Sequence, residues 1–208
     1  NGLAPGDKIA ILANTCKEWH CIDLSSLCSK AVVVPIYNSY LPTEISYIIN
    51  HSETSILCVE NTEQFKKILE IQDQLPKIKF LVSFAEIESE LKNQLKDIVT
   101  ITYKELLLQG GELIKINPKT FVENIKTQSP HQIASIFYTS GTTGEPKGAV
   151  ITQEAFSQML QNVKAFTKGA FTAVDRSLVV LPLSHVIGRC DSFLHLAFGS
   201  ELVFAESM

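Results

Sequence analysis

The chain reads as an α/β protein built on an open, largely parallel sheet flanked by helices. Three observations predict this. Through the first half, short β-compatible apolar runs alternate with segments of helical period. Several of those runs, such as Ala31-Val32-Val33-Val34-Pro35-Ile36, are short and apolar throughout, as buried strands are. A loop rich in Gly, Thr and Ser is held between two further apolar runs, at 133–138 and 148–151.

Taken in order, residues 8–12 follow the Gly6-Asp7 turn as a first strand, and 16–28 form a helix. Residues 32–37 give a second strand. Pro42-Thr43-Glu44 marks a helix start, with Thr43 as the expected cap and Ile45, Ile48 and Ile49 at helical spacing. Residues 55–59 are a third strand and 62–75 a charged amphipathic helix. Strands follow at 79–84 and 98–101, while 86–96 reads either as a solvated helix or as an excursion. Residues 103–108 look helical, with Gly110-Gly111 as the stop. A polar connector runs over 117–131, where Pro118 and Pro130 break any long helix. Beyond it come an amphipathic helix at 153–167, a strand at 177–181, a helix at 186–198 ended by Gly199, and a last strand at 201–204. One architecture is expected, with a possible junction of two subdomains near 117–131.

Composition narrows the function classes. At 208 residues the chain can bury a substantial core, and 45% hydrophobic with 19% charged residues is a globular balance. A net charge of −4 argues against general nucleic-acid binding, which needs a basic face. No apolar run approaches the roughly 18 residues of a transmembrane helix. The first residues, Asn1-Gly2-Leu3-Ala4-Pro5-Gly6-Asp7, read as a turn without an initiating Met, which suggests a piece of a longer chain. Cys16, Cys21, Cys28, Cys58 and Cys190 are odd in number and mostly within apolar stretches, as reduced thiols of a cytosol-like compartment are. Cys16, His20, Cys21 and Cys28 lack a CxxC pair, and a helix spreads them over its faces, so zinc is not expected.

The most informative run is Tyr138-Thr139-Ser140-Gly141-Thr142-Thr143-Gly144-Glu145-Pro146-Lys147-Gly148. It joins three glycines, five hydroxyls and one lysine. Glycines let the backbone approach a polyphosphate and turn N–H groups toward it, hydroxyls add neutral donors, and lysine supplies a mobile positive charge. A plain surface turn would use similar residues, but not this combination between two strands. The Walker A pattern is excluded, because Pro146 precedes Lys147 and Gly148 follows it.

This run resembles the phosphate-binding loop of the adenylate-forming (AMP-binding) superfamily. Downstream, Leu181-Pro182-Leu183-Ser184-His185-Val186-Ile187-Gly188-Arg189 is similar to the next motif of that family, in the form found in long-chain fatty acyl-CoA synthetases. Residues 32–50 are similar to its N-terminal substrate-side region. The likeness covers nearly the whole chain, but its strong motifs occupy 138–148 and 181–189.

The resemblance implies that residues 1–208 are a partial AMP-binding domain, part of the large N-terminal domain of an acyl-adenylate-forming enzyme. It implies an ATP-dependent ligase for medium- or long-chain fatty acids that forms an acyl-adenylate and then the CoA thioester, with Mg2+ assisting. Thr139, Ser140, Gly141, Thr142, Thr143, Gly144, Lys147 and Gly148 would then hold the ATP phosphates, with Lys147 as the catalytic cation and Thr139 reaching the magnesium. His185 would stand beside the acyl carboxylate, or else only cap the helix that follows it. Arg189, four residues on, falls on the same helix face as His185, either as a substrate contact or as a structural ion pair. Tyr138 and Trp19 read as packing residues. The family's later Tyr-Gly-x-Thr-Glu motif, ribose-binding aspartate, hinge and C-terminal lysine do not occur before Met208, so an N-terminal piece, inactive alone, is expected. Two rival readings stand: an adenylating enzyme for an aryl or amino acid, and a catalytically silent nucleotide- or partner-binding module. A cytoplasmic location is implied, with peripheral membrane association left open.

Overall fold

The computed structural model describes residues 3–139, 145–167 and 169–205. Among them, β1 (Lys8–Leu12), β2 (Val32–Ile36), β3 (Ile56–Val59), β4 (Phe80–Ser83), β5 (Val99–Thr102), β6 (Ile133–Thr139) and β7 (Lys147–Thr152) form one sheet. Its order is β5-β4-β3-β1-β2-β6-β7. Every neighbouring pair is parallel except the antiparallel β6–β7 hairpin. The predicted fold class therefore holds. The sheet takes strands from both sides of residues 117–131, while β8 (Arg176–Val179) and β9 (Glu201–Phe204) pair in parallel as a second, two-stranded sheet.

The strands are apolar throughout because both faces are covered. Ala10, Leu12, Val34, Ile36, Leu57 and Val59 face α2 (Pro42–Ser52) and α3 (Thr62–Ile71), whose Ile45, Ile48, Ile49, Phe65 and Ile68 are fully buried there. The alternate residues Ile9, Ile11, Val33 and Cys58 face α1 (Lys17–Cys28) and, toward β6, α7 (Gln153–Thr167) and α8 (Val186–Phe198). Trp19, Ile22, Phe156 and Phe193 complete that second core. Each such fully buried side chain contributes on the order of 1.5–3 kcal/mol.

Several local expectations need correction or refinement. The helix at 42 is capped by Leu41, not Thr43: Pro42, lacking an N–H, takes the first helical position, and the Glu44 carboxylate accepts from the Leu41 amide at 2.8 Å. Gly110 and Gly111 do not stop a helix, since α5 runs through them from Tyr103 to Ile116. Its Thr102–Glu105 capping box starts it and Pro118 lies just past its end, and the roughly 1 kcal/mol cost of each interior glycine does not break it. The connector 117–131 contains α6 (Thr120–Lys126), and of the two readings open for 86–96 the structure shows a solvated helix, the short α4 (Ser89–Lys92). The helix over 62–75 narrows to a 3-10 turn at Gln72–Gln74, and the strand expected at 177–181 begins and ends earlier, at Arg176 and Val179.

Candidate functional site

Parallel strands deliver their carboxyl ends to one edge of a sheet, where open α/β proteins bind ligands. At this edge the Asn14 backbone amide and side-chain Nδ2, just after β1, donate to Glu60 Oε2 at 2.8 and 3.0 Å, just after β3. Asn38, just after β2, donates from Nδ2 to Asn14 Oδ1 at 2.8 Å. The glycine-rich run leaves β6 at the same edge. Its two stems are paired, Tyr138 with Gly148 and Thr139 with Lys147, and the Thr139 and Lys147 side chains are exposed. Ser140, Gly141, Thr142, Thr143 and Gly144 lie outside the described residues. Gly148 is required by packing: a Cβ there would stand 2.7 Å from Ile136 Cγ2 and 3.4 Å from the Tyr138 ring.

The second motif is tied to the same edge by Thr15. The Thr15 hydroxyl donates to the Leu181 carbonyl at 3.1 Å and accepts from the Leu183 amide at 3.0 Å. The His185 amide then closes the turn on the Pro182 carbonyl at 2.9 Å. A side chain at Gly188 would run into that same carbonyl oxygen, so glycine lets the first turn of α8 pack on the motif's bend. His185 is the N-cap of α8, with Nδ1 accepting from the Ile187 amide at 3.2 Å, and its ring is exposed. That hydrogen bond leaves Nδ1 without a proton, so the neutral ring carries its proton on Nε2.

Arg189 does not share a face with His185. As a cap, His185 sits outside the helical turn, whereas Arg189 is fully buried between α8, α1 and β6. Its Nε donates to Asp23 Oδ2 at 2.7 Å, Nη2 to Asp23 Oδ1, and Nη1 to Ser135 Oγ at 2.6 Å. The Ser135 hydroxyl in turn donates to the Val33 carbonyl at 2.6 Å, across the one bridge that joins β2 to β6. Phe156, Phe137, Phe193 and Trp19 surround the guanidinium, with ring centroids 5.0, 5.5, 5.5 and 5.9 Å away. Burial raises the Asp23 carboxyl above the usual carboxylate range, and the guanidinium pulls it part of the way back. A two-pronged contact with a cation that does not deprotonate keeps Asp23 ionised at neutral pH. Arg189 is a structural ion pair, the second of its two expected readings, and Trp19 is the packing residue expected of it. Among the described residues no group of three or more His, Cys, Asp or Glu is arranged to hold a metal ion.

Two groups of residues at this edge escape a sequence reading. Thr15 is one. Tyr47 and His51 of α2 are the other: the Tyr47 hydroxyl donates to the Pro146 carbonyl at 3.1 Å, and His51 Nδ1 shares a hydrogen bond of 2.7 Å with the Tyr138 hydroxyl. The i, i+4 spacing of Tyr47 and His51 was visible as a shared helix face, but nothing in the sequence named its partners.

The AMP-binding enzyme family profile matches residues 1–208. Among curated proteins, the chain is 31% identical to the long-chain-fatty-acid–CoA ligase ACSBG2 of Gallus gallus, over 95% of this chain and 25% of that protein. It is 30% identical to long-chain-fatty-acid–CoA ligase 1 of Homo sapiens, over 98% of this chain and 29% of that protein. The chain thus spans between a quarter and a third of the length of the curated relatives it matches. Among solved structures, the adenylation domain of a carboxylate reductase from Mycobacterium chelonae superposes with a TM-score of 0.76 at 18% identity, over 99% of this chain and 32% of that one. The anthranilate CoA ligase AuaEII bound to anthranoyl-AMP superposes at 0.73 with 20% identity, over 99% of this chain and 36% of that one. At these identities the superpositions establish the fold. The full-length profile match establishes more: this chain belongs to the AMP-binding enzyme family.

Proposed function

We propose that this chain is the N-terminal part of an ATP-dependent ligase that activates a medium- or long-chain fatty acid as its acyl-adenylate and passes it to CoA. The observation that carries the reading is convergence. The stems of the glycine-rich loop leave β6 and β7 at the edge where Thr15 holds the Leu181–Leu183 bend and His185. A triphosphate and a carboxylate must meet in line there, so catalysis is mostly positioning and charge neutralisation.

In this reading Lys147 neutralises the phosphates from the exposed start of β7, with Thr139 across the hairpin and Ser140, Gly141, Thr142, Thr143, Gly144 and Gly148 completing the loop. His185 serves as both cap and ligand: with Nδ1 bound to the helix, the Nε2 proton is free to meet the acid's carboxylate. Mg2+ rides mainly on phosphate oxygens and water and needs few protein ligands, so the exposed Thr139 hydroxyl fits it as one. When bound, the ion would offset negative charge on the triphosphate.

The fatty-acid class and CoA come from the names of the relatives, as does an acid-thiol ligase activity for the protein containing this chain. Residues 1–208 are then a part of its AMP-binding domain. The five free cysteines support a reducing, cytoplasmic location, and no helix among the described residues is long and apolar enough to cross a membrane. The test is thioester formation by the full-length protein, with ATP and CoA, over a panel of fatty, aryl and amino acids. Turnover restricted to medium- and long-chain fatty acids supports the reading. Turnover of aryl or amino acids alone, or none at all, refutes it.

A further inference from the structure

We propose that Tyr47 and His51 of α2 are positioning residues that clamp both stems of the glycine-rich loop, and so set the geometry in which it meets the ATP phosphates. The second half of this statement rests on the reading of the loop as an ATP-phosphate loop. The clamp itself rests on contacts alone.

Tyr138 is the penultimate residue of β6 and Pro146 immediately precedes β7, so together they bracket the loop. Both are held from one helix face. The Tyr47 hydroxyl donates to the Pro146 carbonyl at 3.1 Å, and His51 Nδ1 shares its 2.7 Å hydrogen bond with Tyr138. Tyr47 stacks on His51 with centroids 5.3 Å apart and rings inclined by 23°. Tyr138 meets both edge-on, at 6.4 and 5.6 Å. The two contacts therefore act as one aromatic unit, not as separate hydrogen bonds.

The unit sits on a rigid support. α2 buries Ile45, Ile48 and Ile49 completely against the sheet, and its start is fixed by Pro42 and Glu44. Tyr138 itself belongs to the same core. Burial first, then the neighbouring Tyr47, pushes the Tyr138 phenol up to about 12, so it stays a neutral hydroxyl at every physiological pH. On the loop's far stem, the missing side chain of Gly148 makes room for Ile136, with the Tyr138 ring in contact beside it. A lysine one residue beyond Pro146 thus inherits its position from a helix about a hundred residues earlier in the chain. Positioning groups need such support from rigid elements to act within tenths of an ångström.

The experiment is hydrogen–deuterium exchange on the full-length protein carrying Tyr47→Phe or Tyr138→Phe, alongside steady-state kinetics with ATP and fatty acid varied separately. Each variant deletes one hydroxyl and keeps its ring. Loss of one hydrogen bond should speed exchange at 145–151 by roughly 2- to 12-fold and leave α2 and β1 unchanged. The apparent KM for ATP, or kcat, should worsen by a similar factor while the KM for the acid stays put. Unchanged exchange at 145–151 overturns the clamp, as does acceleration spread evenly over α2 and β1, which signals general destabilisation. Faster exchange with unaltered ATP kinetics overturns the positioning role. If the unmutated protein forms no acyl-CoA, the proposed function falls, and the exchange data still decide the clamp.

Discussion

Replacing Asp23 with alanine should be among the most damaging single changes in this chain. The structure supplies the magnitude. Arg189 has no solvent exposure, two of the three side-chain hydrogen bonds it makes among the described residues end on Asp23, and the guanidinium is otherwise held by Ser135 and flanked by four aromatic rings. Ring faces and a hydroxyl cannot supply the missing negative charge. Breaking a buried pair by removing one partner costs about 3–5 kcal/mol, because a buried cation is left uncompensated. Removing both charges is a different matter: Asp23→Leu with Arg189→Met replaces the pair by apolar groups and should recover most of that loss. Urea unfolding of the full-length protein, followed by circular dichroism, reads both. A loss under about 1 kcal/mol in Asp23→Ala would mean that Arg189 finds water or another partner, and the buried-pair account would be wrong. Equal losses in the single and double variants would refute the charge argument specifically.

Two further predictions concern histidines. His185→Asn keeps a good N-cap and removes the ring, so it should leave stability within about 0.5 kcal/mol while raising the KM for fatty acid; His185→Ala should also lose about 1 kcal/mol, and an unaltered fatty-acid KM in both would confine His185 to capping. His20, packed against Phe193 and Phe204, is held down to about 4 by burial first and by the Arg189 charge second. The fold therefore keeps it neutral while the unfolded chain binds a proton below about 6.5, so stability is full above that pH and drains away as pH falls toward 4. Urea midpoints at pH 7 and 5 should differ less in His20→Leu than in the unmutated protein; an identical difference would acquit His20.

What the sequence disclosed divides along physical lines. The strands were legible because successive residues such as Val33 and Val34 are apolar and face opposite cores, which only a doubly covered sheet requires. α7 and α8 were legible from their periodicity and from Gly199. Gly110-Gly111 misled, since a glycine pair breaks an isolated helix but not one fixed by a capping box at its start and a proline past its end. At the site, the two motifs stood out as local runs. Their supports did not, because they act across the chain: Thr15 reaches Leu181 over 166 residues, and Tyr47 reaches Pro146 over 99. Arg189 had two readings from spacing alone, and only its burial against Asp23 selects the ion pair.

The central claim is that the glycine-rich hairpin serves phosphate chemistry with Lys147 as its cation. The most direct measurement is fatty-acid-dependent ATP–pyrophosphate exchange by the full-length protein and its Lys147→Ala variant. The account predicts exchange that requires the acid and falls by about 10²–10³ in the variant, with a far smaller change in the KM for ATP. Exchange at the unmutated rate in Lys147→Ala, or none with any fatty acid in the unmutated protein, would contradict it.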